Sequence, residues 1–268
     1  MIDFVRRLRH PLHCEHCEGI SDVENPKHHP SYEITQKCNL ACIFCYSRFA
    51  KVEPGYYGDL KPKAITISQF GEPLLAGEKE VIRVARTLRE TFGNVRLDLQ
   101  TNGVLLSEKI CEEFDIVMIS LDAGSRESYL RITKRDFFDR VVENIRRSSE
   151  ITYTVVRTVF LPGVNDAELK GIAEIASCAE ELFLQPVSLY RENRELLESI
   201  DVEKAESIGE FLRTAEALSE VSEVRIPGCF ILNLKRALKE FTIDEIMLFH
   251  RNAFARKPKI EREWRFRI

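Results

Sequence analysis

At 268 residues, 44% hydrophobic and 31% charged, the chain can bury one large core, and its net charge of −4 creates no global pull toward nucleic acid or an anionic membrane. No apolar run reaches the about 18 residues of a membrane span, and no apolar leader stretch follows the early arginines of MIDFVRRLRH. These features point to the cytoplasm, where thiols stay reduced, so the eight cysteines read as metal ligands or buried apolar residues rather than a disulfide framework.

In chain order, the first segment of interest is HPLHCEHCEG, which packs His10, His13, Cys14, His16 and Cys17 into eight residues. A Cys-x2-Cys pair flanked by histidines reads as half of a second metal site, an auxiliary iron–sulfur cluster or zinc, in an N-terminal extension of residues 1–30. Cys229 follows a Pro227–Gly228 corner and is the distant residue best suited to join Cys14 and Cys17. The competing reading is a loose arm with unliganded thiols. His28 and His29 read as surface residues ahead of the first strand.

From 31 to 190 a short apolar run, a polar or glycine corner and a helical stretch alternate. Strands are predicted over 31–35, 64–70, 95–100, 115–121, 151–160 and 181–187, on β-branched and aromatic content and on near-continuous apolarity. GEKEVIRVARTLRETFG places Val81, Val84, Ala85 and Leu88 on one helical face and stops at Gly93. FFDRVVENIRRSSE repeats that spacing. Asn165 followed by Glu168 resembles a capping box. Cys111 and Cys178, at apolar positions of helical stretches, read as small core residues.

Six βα units in series predict a parallel α/β fold. Each strand end carries a polar or glycine motif: the cysteine-rich loop, GEP (71–73), TNG (101–103), LDAG (121–124), LPGVND (161–166) and Ser188. An open doubly wound sheet would concentrate such residues at one switch point, whereas a barrel spreads them around a mouth. The fold class predicted is therefore a partial six-stranded (β/α) barrel over 31–190 with a mainly helical C-terminal extension over 191–268. In that extension VSEVRIP is one more candidate strand. The tail RNAFARKPKIEREWRFRI holds seven Arg or Lys against two Glu, and it reads as a solvated strand or arm packing Trp264 and Phe266 rather than an electrostatic contact surface.

The loop KCNLACIFCYS brings Cys38, Cys42 and Cys45 within eight residues. Thiolates select zinc, copper(I) or iron–sulfur clusters, and a structural zinc would need a fourth ligand. A [4Fe–4S] cluster held by three cysteines leaves one iron open. A zinc ribbon pairing Cys14 and Cys17 with Cys38 and Cys42 would leave Cys45 idle. The Cys-x3-Cys-x-aromatic-Cys spacing, with Phe44 at the aromatic place, resembles the radical S-adenosylmethionine (radical SAM) superfamily, and the resemblance runs from 31 to about 190. Its style of motif is similar to the branch of the molybdenum-cofactor cyclase and the peptide-modifying enzymes, although only Cys229 follows residue 190.

The resemblance implies that Cys38, Cys42 and Cys45 hold a [4Fe–4S] cluster whose open iron binds the methionine part of S-adenosylmethionine, and that Phe44 lies against adenine. SQFGEPLL resembles the family's Gly-Gly-Glu-Pro motif, with Phe70 in place of the first glycine. It implies Glu72 on the methionine ammonium beside Gly71 and Pro73. It further implies Thr101 near the carboxylate, Ser120 and Asp122 beside the cofactor, Arg157 toward the carboxylate and Val164 or Asn165 at the adenosine end. A radical SAM enzyme of this kind takes an electron from a low-potential donor, ferredoxin or flavodoxin, and abstracts hydrogen from a substrate. The substrate expected is a cofactor precursor, a peptide or a nucleic acid. The alternative is a non-catalytic iron–sulfur carrier or a zinc-stabilised scaffold, in which Glu72, Thr101 and Ser120 would not converge.

Overall fold

Runs rich in Ile, Val and Leu form strands that are buried along most of their length, because helices cover one face of the sheet and side chains fill the other. The structure, a computed structural model, describes residues 1–17, 30–189, 197–251 and 263–268. The strands are β1 (Ser31–Glu33), β2 (Gly55–Tyr57), β3 (Ala64–Ile67), β4 (Arg96–Thr101), β5 (Ile116–Ser120), β6 (Tyr153–Phe160), β7 (Glu181–Pro186), β8 (Val224–Arg225) and β9 (Trp264–Phe266). All six predicted strands form, and VSEVRIP supplies β8.

Their order in the sheet is β8-β7-β6-β5-β4-β3-β1-β2-β9. From β1 through β8, omitting β2, neighbours are parallel and advance in chain order without a reversal. Right-handed crossovers that never reverse put every connecting helix on one side, and the sheet curls with its other face inward. Arg157 on β6 shows the concavity by reaching Gln100 on β4 at 2.5 Å and Gln185 on β7 at 2.7 Å. The partial barrel is as expected.

The helices are α1 (Ile2–Arg7), α2 (Glu78–Phe92), α3 (Glu108–Cys111), α4 (Arg126–Thr133), α5 (Phe138–Ser149), α6 (Leu169–Ala176), α7 (Val202–Glu206), α8 (Ile208–Leu218), α9 (Gly228–Ala237) and α10 (Ile243–Met247). Helix α2 buries the four apolar residues its spacing marks and ends at Gly93, whose φ of 73° suits a residue without Cβ. Cys111 is buried as expected. Cys178 is not; it lies past the end of α6 and is exposed, its thiol donating to the Ile175 carbonyl.

The capping-box reading of Asn165 and Glu168 also fails. Asn165 is fully buried and turns back on the strand end, accepting from Leu161 N–H and donating to the Asp122 and Val159 carbonyls. Glu168 instead accepts from Gly124 N–H. Helix α6 begins through a short 3-10 turn, Asp166–Glu168, without a side-chain cap.

Strand β2 was not foreseen, its three residues offering too short a stretch for alternation to show, whereas β9 is the strand expected of the tail at Trp264 and Phe266. They add an antiparallel edge beside β1. Phe266 stacks on Tyr56 at 5.2 Å, and a Cβ at Gly55 would lie 2.4 Å from the Trp264 indole nitrogen. Residues 263–268 are thus the packed strand end of the basic tail, while 252–262, like His28 and His29, lie outside the described residues.

The described part of the N-terminal segment is not loose. Phe4, Val5 and Leu8 are buried, each worth roughly 1.5–3 kcal/mol of apolar burial. Residues 12 and 13 then form the floor of the barrel. Leu12 packs against Ile116, Met118, Val155 and Phe183, inward residues of β5, β6 and β7. His13 Nδ1 lies 2.7 Å from Asp98, and Arg96 bonds Asp98 together with the carbonyls of Leu12 and His13.

Candidate active site at the cysteine loop

The cysteine loop follows β1 and is held from two sides. Ala41 N–H and Ile43 N–H, flanking Cys42, donate to the carbonyls of Thr133 and Ile132 at the end of α4, at 2.9 and 3.0 Å. On the other side, Glu72 N–H donates to the Lys37 carbonyl at 2.8 Å. Gly71, with φ of 71°, brings its backbone so close that a Cβ would lie 2.3 Å from the Thr35 carbonyl oxygen. A glycine is needed here for both reasons. Phe70, where the family motif has glycine, packs edge-on against Tyr46 at 5.6 Å, and Tyr46 donates to the Gln69 carbonyl.

Glu72 is the centre of the arrangement. Its carboxylate is fully buried and accepts from the Thr101 hydroxyl at 2.8 Å, Asn102 N–H at 2.6 Å and Leu74 N–H at 3.1 Å. Asn102 also donates through Nδ2 to Asn39 at 2.7 Å and to Cys38 Sγ at 3.8 Å. One residue of TNG therefore touches both the acidic turn and the first cysteine. Burial pushes the Glu72 carboxyl up to about 7, against the three hydrogen bonds that favour its charged form.

Asp122 is also buried, and its carboxyl is pushed up to about 6 by burial, with Val159 N–H and Arg157 opposing. It accepts from Val159 N–H at 2.8 Å. Ser120 ends β5 in register with Arg157, half-buried like it. Arg157 is aimed by the amides of Gln100 and Gln185. Pro73 opens a short turn capped by Glu72. Phe44 and Val164 are half-buried against the main core, and the Val164 carbonyl accepts from Arg131.

The three thiols lie within one another's electrostatic reach. Burial raises the Cys42 thiol first, then Asp122, Cys45 and Cys38, with Arg48 opposing. Cys38 is exposed as a residue, yet local burial raises its thiol too, followed by Glu72 and Cys45. Among the described residues no three His, Cys, Asp or Glu side chains already close on one point as a metal centre requires. The donor chemistry nonetheless fits an iron–sulfur cluster: three soft ligands on one loop, with protons to lose on metal binding. The Tyr129 hydroxyl on α4 adds to that fit, being buried with no hydrogen-bond partner among the described residues.

Two residues of the candidate site escaped the sequence reading. Glu33, at the end of β1, is buried and accepts from the hydroxyls of Ser31 and Ser68 and from the N–H groups of Gln69 and Phe70, so it holds the loop that presents Glu72. A lone acid closing a three-residue strand has no spacing to betray it. Tyr129 reads as an ordinary helical core aromatic, and what sets it apart is a hydroxyl unpaired among the described residues.

At the floor, the second cysteine set converges in part. Cys14 is buried and its thiol is pushed up to about 12 by burial, with the Gly228 N–H bonding it and both Cys17 and Cys229 close enough to raise it further. Cys17 N–H donates to the Cys14 carbonyl at 3.0 Å. Cys229 lies in the first turn of α9.

The mouth of a parallel partial barrel thus combines a three-cysteine loop with a buried glutamate that meets no cation among the described residues. The model of the Radical SAM superfamily matches residues 57–176. An uncharacterized protein of Methanocaldococcus jannaschii is 40% identical over 273 residues, covering 96% of this chain and 92% of that one. A probable GTP 3′,8-cyclase of Pyrococcus horikoshii is 31% identical over 160 residues, 53% of this chain and 50% of its own. The chain thus spans about half the length of this cyclase relative. Among solved structures, Streptococcus suis SuiB bound to S-adenosylmethionine superposes with a TM-score of 0.58 at 14% identity, over 79% of this chain and 53% of that one. The chain belongs to the radical SAM superfamily, and it is an enzyme. Membership implies a [4Fe–4S] cluster, S-adenosylmethionine and a reductant. No described helix is long and apolar enough to cross a membrane.

Proposed function

We propose that this chain reductively cleaves S-adenosylmethionine at a [4Fe–4S] cluster held by Cys38, Cys42 and Cys45. The bound cluster would supply one electron to the sulfonium, the bond from sulfur to the 5′ carbon would break, and methionine would leave a 5′-deoxyadenosyl radical that takes a hydrogen atom from substrate. The observation that carries this reading is Asn102, which links Cys38 to the buried Glu72.

The residues act by binding and orienting. Among the described residues Glu72 has only neutral donors, so the ammonium of the methionine moiety is the cation that would hold it ionised. Thr101 orients that carboxylate through the hydroxyl it donates. Gly71 and Pro73 shape the turn, Arg157 and Ser120 offer polar contacts to the methionine carboxylate and ribose side, and Asp122 borders Cys42. Phe44 lines the adenine side. Of Val164 and Asn165, Val164 carries the adenosine contact, because Asn165 spends its whole amide on backbone partners. The barrel excludes water from the reactive centre.

The electron donor is a ferredoxin or flavodoxin in the cytoplasm, and the substrate is a cofactor precursor, a peptide or a nucleic acid. The printed names of relatives support that range: a GTP cyclase, and SuiB bound to a precursor peptide. Anaerobically purified protein is expected to carry about four irons at this site and to form 5′-deoxyadenosine from S-adenosylmethionine and dithionite. Iron-loaded protein that leaves S-adenosylmethionine intact would favour the electron-carrier alternative; zinc as the sole metal would favour the scaffold.

Cys14, Cys17 and Cys229 form a second thiolate site for an iron–sulfur cluster or zinc. What supports it is the approach of Cys229 to a pair more than two hundred residues earlier in the chain, as the Gly228 contact with Cys14 records. A Cys38→Ala/Cys42→Ala/Cys45→Ala variant should retain metal that Cys14→Ala/Cys17→Ala then removes. A metal-free triple variant refutes the second site.

A further inference from the structure

Buried hydroxyls in native proteins almost always find a partner, and each that does not calls for an explanation. Tyr129 is 1% exposed, and its hydroxyl bonds nothing among the described residues. The ring is not adrift: it packs against Phe138 at 5.9 Å, and the Tyr129 carbonyl accepts from the Thr133 hydroxyl at 2.8 Å. The hydroxyl is thus held in place without a bond to make.

Its position explains what that bond is for. Tyr129 stands one turn before Ile132 and Thr133 on α4, so the three share a face of the helix. Those two carbonyls anchor the amides on either side of Cys42. The charges that bear on the hydroxyl, after burial itself, belong to Cys42, Asp122, Cys38 and Glu72, in that order. All four belong to the candidate site. The hydroxyl thus sits, buried, on the helix whose end holds the Cys42 loop and within electrostatic reach of the candidate site, and no sulfur of the described residues is close enough to bond it directly.

Resting on the radical SAM reading above, we propose that Tyr129 donates its hydroxyl hydrogen bond to a sulfur of the bound cluster on the Cys42 side and thereby sets the cluster's reduction potential. A hydrogen bond to a cluster sulfur stabilises the more negative reduced state, so it raises the potential. No bond is made or broken and no proton leaves the tyrosine.

The test is a redox titration of the reconstituted holoenzyme followed by electron paramagnetic resonance. Tyr129→Phe, at wild-type iron content, should shift the midpoint potential to more negative values. Phe138→Leu, which loosens the ring's packing but keeps the hydroxyl, should leave it near wild type. Equal potentials in wild type and Tyr129→Phe, both fully loaded with iron, overturn the inference while leaving the radical SAM reading intact. Wild-type protein that takes up no iron overturns both. Should Tyr129→Phe fail to hold iron, 3-fluorotyrosine at position 129, a stronger donor in the same ring, must move the potential positive. An unmoved potential there overturns the inference equally.

Discussion

The floor and the mouth of this barrel each bury a carboxylate, and the two are treated in opposite ways. At the floor, Asp98 on β4 is completely buried, yet His13 and Arg96 outweigh burial and hold its carboxyl below the usual range. At the mouth, Glu72 is equally buried and the described residues offer it only neutral donors, so its carboxyl rises to about 7. The floor acid has the Arg96 guanidinium and the His13 ring built in beside it and closes the structure. The mouth acid has no cation among the described residues and suits a cationic ligand. Burial alone does not separate the two, but the charge of the partners does.

That contrast can be broken most directly at Asp98. Asp98→Asn leaves the largely buried Arg96 guanidinium without its counter-charge and replaces the carboxylate that meets His13, and should cost about 3–5 kcal/mol of stability in denaturant unfolding. S-adenosylmethionine affinity of the remaining folded protein should hold. Equal stability would mean that the floor pair is not structural.

Next is the pH dependence of the cofactor-free protein. Glu72 rises from an ordinary 4.5 to about 7, so the folded state binds the extra proton between those values. Stability from this group is therefore full below about pH 4.5 and falls as pH rises to about 7, by roughly 3 kcal/mol as an order of magnitude. Asp122 adds a fall in the same direction, from 3.8 to about 6. Glu72→Gln should flatten the upper part of that curve, and an unchanged slope would show that Glu72 does not titrate as buried.

The ligand side of the contrast is smaller. Glu72→Gln removes the charge opposite a bound ammonium and should weaken S-adenosylmethionine binding by about 1.5–3 kcal/mol, measured calorimetrically in the iron-loaded protein. Affinity within error of wild type would break the assignment of Glu72 as the cation-seeking acid. The smallest effect is expected at Glu33, which acts through the loop it holds. Glu33→Gln keeps the shape but replaces a charge-assisted acceptor of loop amides, and should cost about 1 kcal/mol of stability with a modest loss of affinity. A larger loss of affinity than at Glu72 would reverse their order.

Much of the site could be read from local patterns. The spacing of Cys38, Cys42 and Cys45, the GEP and TNG corners and the strand-by-strand order all survive in the structure, since each depends on neighbours a few residues away. The reading failed where local chemistry admitted two partners. Asn165 looked like a helix cap because asparagine commonly is one, but the strand-end carbonyls of Asp122 and Val159 captured its amide instead. Cys178 looked like core because it continues a helical rhythm, but the helix stops at Ala176 and the rhythm no longer selects a face.

From the amino-acid sequence alone came the βα alternation, the three-thiol loop and the acid that follows the second predicted strand, because periodicity and ligand spacing are properties of short stretches. Folding alone decided that His13 would meet Asp98, that Glu33 would brace the acidic turn, and that Tyr129 would be sealed on the helix that holds the cysteine loop. Those pairings join residues tens of positions apart, and only the packing of the sheet against its helices determines which distant groups lose water together.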